Sequence, residues 1–342
     1  MPKDNLGGVK PVVFSCEGRV MSAAETEFFA RENPFGFILF ARNIDTPDQV
    51  RQLIADFRQS VGRPEAPVLI DQEGGRVQRL RSPHWFEAPA AARIGEMYVR
   101  DKDAGARAAI LSTQLIAADL ASVGITVNCA PCLDMSRPET SSVIGNRAYS
   151  SDPAVIIELA TIICNTYMQA GIIPVIKHIP GHGRATVDSH KQLPVVTEDI
   201  SVLEQTDFVP FKVLSKMPWG MTAHIVFSAI DATAPATQSA LVINQIIRQK
   251  IGFDGLLLSD DLNMNALNGS LHQRAEMSIA AGVDILLHCS GVLDEMRDVV
   301  AACPKMTAVT RRRIENTGLK IKLPSGRFDK EQARQELSEL LM

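Results

Sequence analysis

Gly171-Ile172-Ile173-Pro174-Val175-Ile176-Lys177-His178-Ile179-Pro180-Gly181-His182-Gly183 passes from an apolar run into a polar segment punctuated by proline and glycine. The run 172–176 reads as a buried strand, opened by Gly171 and closed by turn residues. Pro180, Gly181 and Gly183 rule out a regular helix beyond it, so 177–190 is expected as a loop at a strand's end. That loop gathers Lys177, His178, His182, Arg184, Asp188 and His190. A rigid scaffold can position such a loop while leaving its side chains available, which is why chemistry concentrates there. Any single histidine in it could be an ordinary solvated residue. The whole cluster points to a site.

The same pattern repeats along the chain. Short apolar runs at 12–15, 36–40, 68–70, 125–130, 172–176, 220–223, 255–258 and 284–287 alternate with amphipathic, helix-length segments. The segments 46–61, 104–123, 153–170, 201–216, 239–251 and 271–281 are predicted helices. Thr46-Pro47 and Asp152-Pro153 supply a cap followed by an N1 proline, and Gly124, Gly171, Gly252 and Gly282 supply stops. Strand–helix alternation reads as a parallel sheet with helical crossovers, and eight units close a (β/α)₈ barrel of the TIM type. A doubly wound open sheet is the alternative, weakened because no Gly-x-Gly-x-x-Gly follows the first strand. Residues 1–306 are therefore expected to form the barrel domain. The tail 307–342, with Arg311-Arg312-Arg313 and a charged stretch after Asp329, is expected as a peripheral helical extension.

Composition bounds the function. The 342 residues are 46% hydrophobic and 22% charged with a net charge of −4. Such mild acidity argues against a nucleic-acid partner held on a basic surface. No uninterrupted apolar run approaches the ~20 residues of a membrane span, and the N-terminus has no apolar signal-peptide core. A cytoplasmic monomer with no membrane partner is the expectation. Six cysteines in so long a chain do not make a disulfide framework. Cys129 and Cys132 form a Cys-x-x-Cys, but no second pair accompanies them and the stretch is apolar to Leu133.

In a barrel, side chains at the strand ends converge on one rim. Polar residues stand there on four strands: Asp71-Gln72-Glu73 with Arg79, Lys177-His178, His224, and Ser259-Asp260-Asp261. Each has an ordinary reading. Glu73 or Asp261 could cap a helix, and His224 could be a satisfied core imidazole. Convergence favours the functional one. A strand-end carboxylate such as Asp260 can act as a covalent nucleophile, and Asp188 beside His190 can tune an imidazole for acid–base work near neutral pH. Asp71, Arg79, Lys177 and His178 could hold the oxygens of a polar substrate, the profile of a hydrolase acting on a sugar. His178, His182 and His190 also admit a metal hydrolase, although Pro180 and Gly181 prevent the helix that would align the first two as zinc ligands. A non-catalytic sugar-binding barrel is the third class, since fold alone does not choose a chemistry.

The motifs 71–79, 177–190 and 259–264 together resemble the bacterial β-N-acetylhexosaminidases of glycoside hydrolase family 3, as do 37–43 and 143–148. All five occur in order, over Val12 to about Gly291. The resemblance implies a retaining enzyme that removes terminal N-acetylglucosamine from peptidoglycan fragments, without a cofactor or metal. It implies Asp260 as nucleophile, His190 as acid/base and Asp188 as its partner. Asp71, Arg79, Arg147, Lys177 and His178 match the sugar-binding positions. Asp261, adjacent to Asp260, is the competing candidate for the nucleophile. Residues after Gly291 are too few for the second α/β domain of many wider relatives, so all catalytic groups are expected in the barrel. A histidine in place of the usual acid carboxyl would not repel an anionic second substrate, which leaves phosphorolysis open beside hydrolysis.

Overall fold

The computed structural model describes residues 6–138, 141–189, 191–317 and 328–342. Strands β1 (Lys10–Phe14), β2 (Pro34–Leu39), β3 (Val68–Ile70), β4 (Val127–Asn128) and β5 (Ile173–Ile179) come first. A short β6 (Val195–Val196), β7 (Trp219–Thr222), β8 (Val226–Phe227), β9 (Leu256–Asp261) and β10 (Ile285–Leu287) follow. Eight of these close into a barrel in the order β1-β10-β9-β7-β5-β4-β3-β2, and every described pairing around it is parallel. β6 and β8 form a separate two-stranded sheet. The barrel outcome excludes the open doubly wound sheet.

The helices that carry the crossovers are α1 (Ala23–Glu32), α2 (Pro47–Ser60), α3 (Ala91–Arg100), α4 (Lys102–Val123) and α5 (Pro153–Gln169). After them come α6 (Ile200–Gln205), α7 (Val209–Val213), a π-type helix (Val242–Lys250), α8 (Leu271–Ala281) and α9 (Leu293–Ala301). Thr46 accepts from the Gln49 N–H and Asp152 from the Ala154 N–H, each ahead of its N1 proline. Gly124 and Gly282 end α4 and α8 at φ of 87° and 113°, a left-handed geometry that costs other residues a backbone clash. The helix expected over 201–216 is broken instead into α6 and α7, because the chain turns at Thr206 before Pro210. α4 is long and apolar enough to cross a membrane by length and composition, a feature that its scattered polar residues hide from a search for uninterrupted runs. In the fold it is packed by α3, α5 and α11 (Lys330–Leu341).

Strand periodicity divides the core in two. Leu69, Ile173, Val175, Leu256 and Leu258 fill the inside of the barrel, while Val68, Ile70, Ile176 and Leu257 pack outward against the helices. Extending the inward series by one step places Asp71 just past the end of β3, Lys177 on β5 and Asp260 on β9 at the mouth. At the opposite end, Leu6, Met306 and Ile314 join the interior cluster and seal the bottom. Ile314 belongs to α10 (Ala308–Asn316), so the first helix of the tail closes the barrel floor.

Candidate active site

β5 runs further than the sequence suggests. Lys177, His178 and Ile179 belong to the strand, so the loop expected from Lys177 begins only after Ile179. The strand is held because the chain after β4 keeps pairing with it: Val175 N–H donates to Ala130, Lys177 N–H to Pro131, and Leu133 N–H to Lys177. Lys177 is thus fixed by a strand, not left on a mobile loop.

Its Nζ lies 2.9 Å from Asp71 and 2.7 Å from Glu73. Arg79 reaches the other oxygen of Asp71 at 3.2 Å, and Arg147 grips Glu73 in a two-pronged contact at 2.9 and 2.8 Å. Four of the predicted sugar-binding residues, Asp71, Arg79, Arg147 and Lys177, therefore form one network. Burial opposes ionisation of both carboxyls, but the adjacent cations win. Asp71 is held well below the usual carboxylate range by Lys177 and Arg79, and Glu73 is pushed down to about 2 by Arg147 and Lys177. Glu73 is consequently an ion-pair member with no proton to donate at neutral pH, and it caps no helix. The Arg79 Nε is buried without a partner.

Asp260 and Asp261 point different ways. Asp260 faces the barrel axis, 3.9 Å from His178 Nε2, and accepts the Asp261 N–H at 2.8 Å. Burial would raise its carboxyl, yet His178, His224 and that N–H outweigh it and hold Asp260 below its ordinary value. Asp261 faces β10, accepting from the Asn263 and Cys289 N–H groups, and burial raises it to about 6. Strand alternation separates the two candidates and gives the more acidic one to the barrel mouth. His224 is a satisfied core imidazole, bonded to Thr237 and to the Asp261 carbonyl.

His178 makes its shortest contact with Asp134, 2.6 Å from Nδ1. Sequence reasoning missed Asp134. The signal was the one used elsewhere: it is the first charged residue after the apolar stretch that ends at Leu133, hence strand four's own strand-end carboxylate. Cys132 donates its thiol to Asp134, and burial pushes that thiol well above its ordinary value. Cys129 and Cys132 are both buried free thiols, with Cys129 inside the barrel. Cys132, Asp134 and His178 present ligand atoms within 4.8 Å of one another, a donor set a soft divalent ion could use. In the structure they are joined by hydrogen bonds.

The loop beyond β5 lies close over this rim. Gly183 sits where a Cβ would fall 2.3 Å from the Met135 carbonyl, so only glycine fits. Arg184 anchors the loop to Asp207 and Glu198, each at 2.6 Å. Burial lowers His182 to about 4, leaving it neutral, with Nε2 3.2 Å from the Ser189 hydroxyl. Asp188, half-buried, precedes that serine. His190 lies outside the described residues. The Ala266 N–H donates to the Ser189 carbonyl, tying this loop to the one after Asp260.

The rim is that of a barrel enzyme with an ionised, inward carboxylate flanked by paired charges that can bind oxygens. The family model described as the glycosyl hydrolase family 3 N terminal domain matches residues 10–322. β-Hexosaminidases of Alkalilimnicola ehrlichii and Bordetella avium are 38% and 32% identical, over 82% and 88% of this chain and 80% and 87% of theirs. NagZ from Neisseria gonorrhoeae, solved in complex with N-trifluoroacetyl-D-glucosamine, superposes with a TM-score of 0.88 at 29% identity, covering 98% of this chain and 99% of that one. This chain belongs to glycosyl hydrolase family 3 and is a glycosidase.

Proposed function

We propose that the protein is a retaining exo-β-N-acetylglucosaminidase that hydrolyses terminal, non-reducing N-acetylglucosamine from peptidoglycan fragments. Asp260 is the nucleophile of this reading, and the observation that carries it is its ionised carboxylate aimed into the barrel mouth beside His178. Attack on the anomeric carbon forms a glycosyl-enzyme and releases the aglycone oxygen, which takes a proton from His190. Water then loses a proton to His190 as it attacks the same carbon and frees Asp260. Asp188 orients His190 and stabilises the imidazolium. Asp71, Arg79, Arg147, Lys177 and His178 bind the sugar, the anionic pair Asp71 and Glu73 keeping three cations in place. The substrate class is supported by the names of the relatives and by the glucosamine analogue held by the Neisseria protein. The same reading has the enzyme act in the cytoplasm as a monomer, with 1–306 as catalytic domain and 307–342 as a supporting tail.

The test is to incubate the protein with an aryl β-N-acetylglucosaminide and an aryl β-glucoside side by side. Phenol release from the first alone, with free sugar of retained configuration, is the expected result. Release from the glucoside alone, or none from either, overturns the substrate class, and sugar 1-phosphate formed only with added phosphate replaces hydrolysis by phosphorolysis.

A further inference from the structure

Asp134 is fully buried and carries four hydrogen bonds, yet it contacts no solvent and has no part in the reaction as written above. Its two oxygens are divided cleanly. Oδ1 accepts the backbone N–H groups of His178 at 3.3 Å and His182 at 2.6 Å. Oδ2 accepts the Cys132 thiol at 3.1 Å and faces His178 Nδ1 at 2.6 Å. Burial alone would favour a neutral carboxyl. Two backbone N–H groups and a thiol converge on its oxygens, a donor set that suits an anion, and the adjacent His178 ring also lowers the carboxyl. An ionised carboxylate only accepts, and a lone pair on Nδ1 at this distance would repel it. Nδ1 must therefore carry a proton. The other ring nitrogen, Nε2, then points at Asp260 across 3.9 Å, too far for a direct hydrogen bond and open to a substrate hydroxyl. His182 packs edge-on at 5.5 Å between ring centroids and limits tilting.

We propose that Asp134 is a positioning residue for the glycosidase: it fixes the ring of His178 with Nδ1 protonated, so that Nε2 is the atom offered to the sugar beside the nucleophile. The proposal deepens the reading of the site given above and rests on it for the identity of the substrate. Its chemical content is specific, because the shape of the site decides what an amide would do. In Asp134→Asn the two backbone N–H groups must keep the oxygen. The amide nitrogen is then forced against Nδ1, a donor facing a donor, and the ring relieves this only by moving its proton to Nε2. The substitution thus preserves volume and reverses the tautomer. In catalytic triads a wrong tautomer is costly even when the geometry is intact.

The full chain labelled with ¹⁵N in histidine settles the matter by long-range ¹H–¹⁵N correlation, with His178 assigned from the signals missing in His178→Gln. Wild type should show Nδ1 protonated, and Asp134→Asn should show Nε2–H. With the aryl N-acetylglucosaminide, Asp134→Asn should lose kcat/KM by roughly 10²-fold or more while its melting temperature stays near wild type. In a His178→Ala background the same change should add little, since Asp134 acts through that ring. A wild-type His178 protonated on Nε2 overturns the proposal, as does a reversed tautomer with kcat/KM unchanged, or losses that multiply in the double variant. Should Asp134→Asn fail to fold, the wild-type tautomer decides. Should wild type turn over no glycoside, the functional reading fails while the tautomer still tests the role of Asp134.

Discussion

The barrel has a buried charge network at each end, and the two are built to opposite specifications. At the bottom, Asp284 accepts from Arg248 at 2.8 Å, the Leu257 N–H at 3.0 Å, Thr310 at 3.0 Å and Arg313 at 3.0 Å, with α10 closing over it. Its side chain is 4% exposed and each oxygen is fully used. At the mouth, Asp71, Arg79 and Asp260 remain 18%, 26% and 19% exposed, and the Arg79 Nε lacks a partner. Both networks pair opposite charges. The upper one leaves Asp71, Arg79 and Asp260 more open to solvent than Asp284, Arg248 and Arg313 are below, and that residual access is what a substrate can use. Charge clustering by itself does not mark a site; incomplete satisfaction at the carboxyl ends of barrel strands does.

Changes at the open end should remove activity and spare the fold. Asp260→Ala should abolish turnover, a loss on the order of 10⁴-fold or more, with an unaltered thermal transition. A fluorinated glycosyl donor should label Asp260, and label found on Asp261 would erase the distinction drawn from strand alternation. His190→Ala should cost roughly 10²–10⁴-fold with a poor leaving group and far less for the first step with dinitrophenolate, giving a burst of phenolate. Asp188→Asn should follow the same pattern more weakly. Equal slowing of both leaving groups would require another acid, and ionised Glu73 is a poor replacement. At the closed end the readouts should exchange places. Asp284→Asn leaves Arg248 without a carboxylate partner, Arg313 keeping Asp254, and should destabilise by roughly 3–5 kcal/mol, read from urea midpoints, while kcat/KM stays within about twofold. A comparable loss of kcat/KM would show that the two ends are coupled.

How much of this was legible in the sequence depends on the kind of signal. Apolar runs such as 68–70 and 255–258 have a strong period and tight turns, so the barrel could be read from them. The polar residues that follow those runs could be read as rim residues for the same reason. What could not be read was pairing. Nothing local tells Glu73 that Arg147, far along the chain, will take both its oxygens, or separates Asp260 from Asp261 without knowing the inward phase of β9. Lys177 and His178 looked like loop because Pro180 and Gly181 are so near. Strand pairing to 131–133 overrode that local signal, and the same pairing brings Asp134 level with His178.

A pH series tests whether the upper network also stabilises the fold. Glu73 falls to about 2 in the folded protein against an ordinary value of 4.5. A depressed carboxyl binds fewer protons in the native state than in the unfolded one, so its contribution is complete above about pH 4.5 and lost as pH falls toward 2. Wild type should therefore exceed Glu73→Gln at pH 7 by no more than a few kcal/mol, and the gap should narrow as pH falls from about 4.5 toward 2 in urea titrations. A gap that is constant with pH would mean that Glu73 acts through shape and not charge.

The smallest expected effect is the most discriminating about what the open end is for. Arg79 spends one nitrogen on Asp71, stacks its guanidinium over the Phe40 ring at 5.3 Å, and has a buried Nε with nothing to bond. The planar fork can hold Asp71 and a substrate oxygen together, whereas a lysine ammonium keeps the charge but offers a point donor and loses the stacking. Arg79→Lys should therefore leave the fold and the Asp71 pairing in place, and lower kcat/KM about tenfold, mainly through KM, because the lost contact is to the bound sugar rather than to the reacting bond. The same exchange in the closed network, Arg248→Lys, has no substrate contact to lose and should touch stability alone. If Arg79→Lys instead changes only stability, the upper network is as self-contained as the lower one and the unspent donor is not a binding group. If it lowers kcat with KM unchanged, Arg79 engages the sugar only as the bond breaks, and belongs with Asp260 in the chemistry.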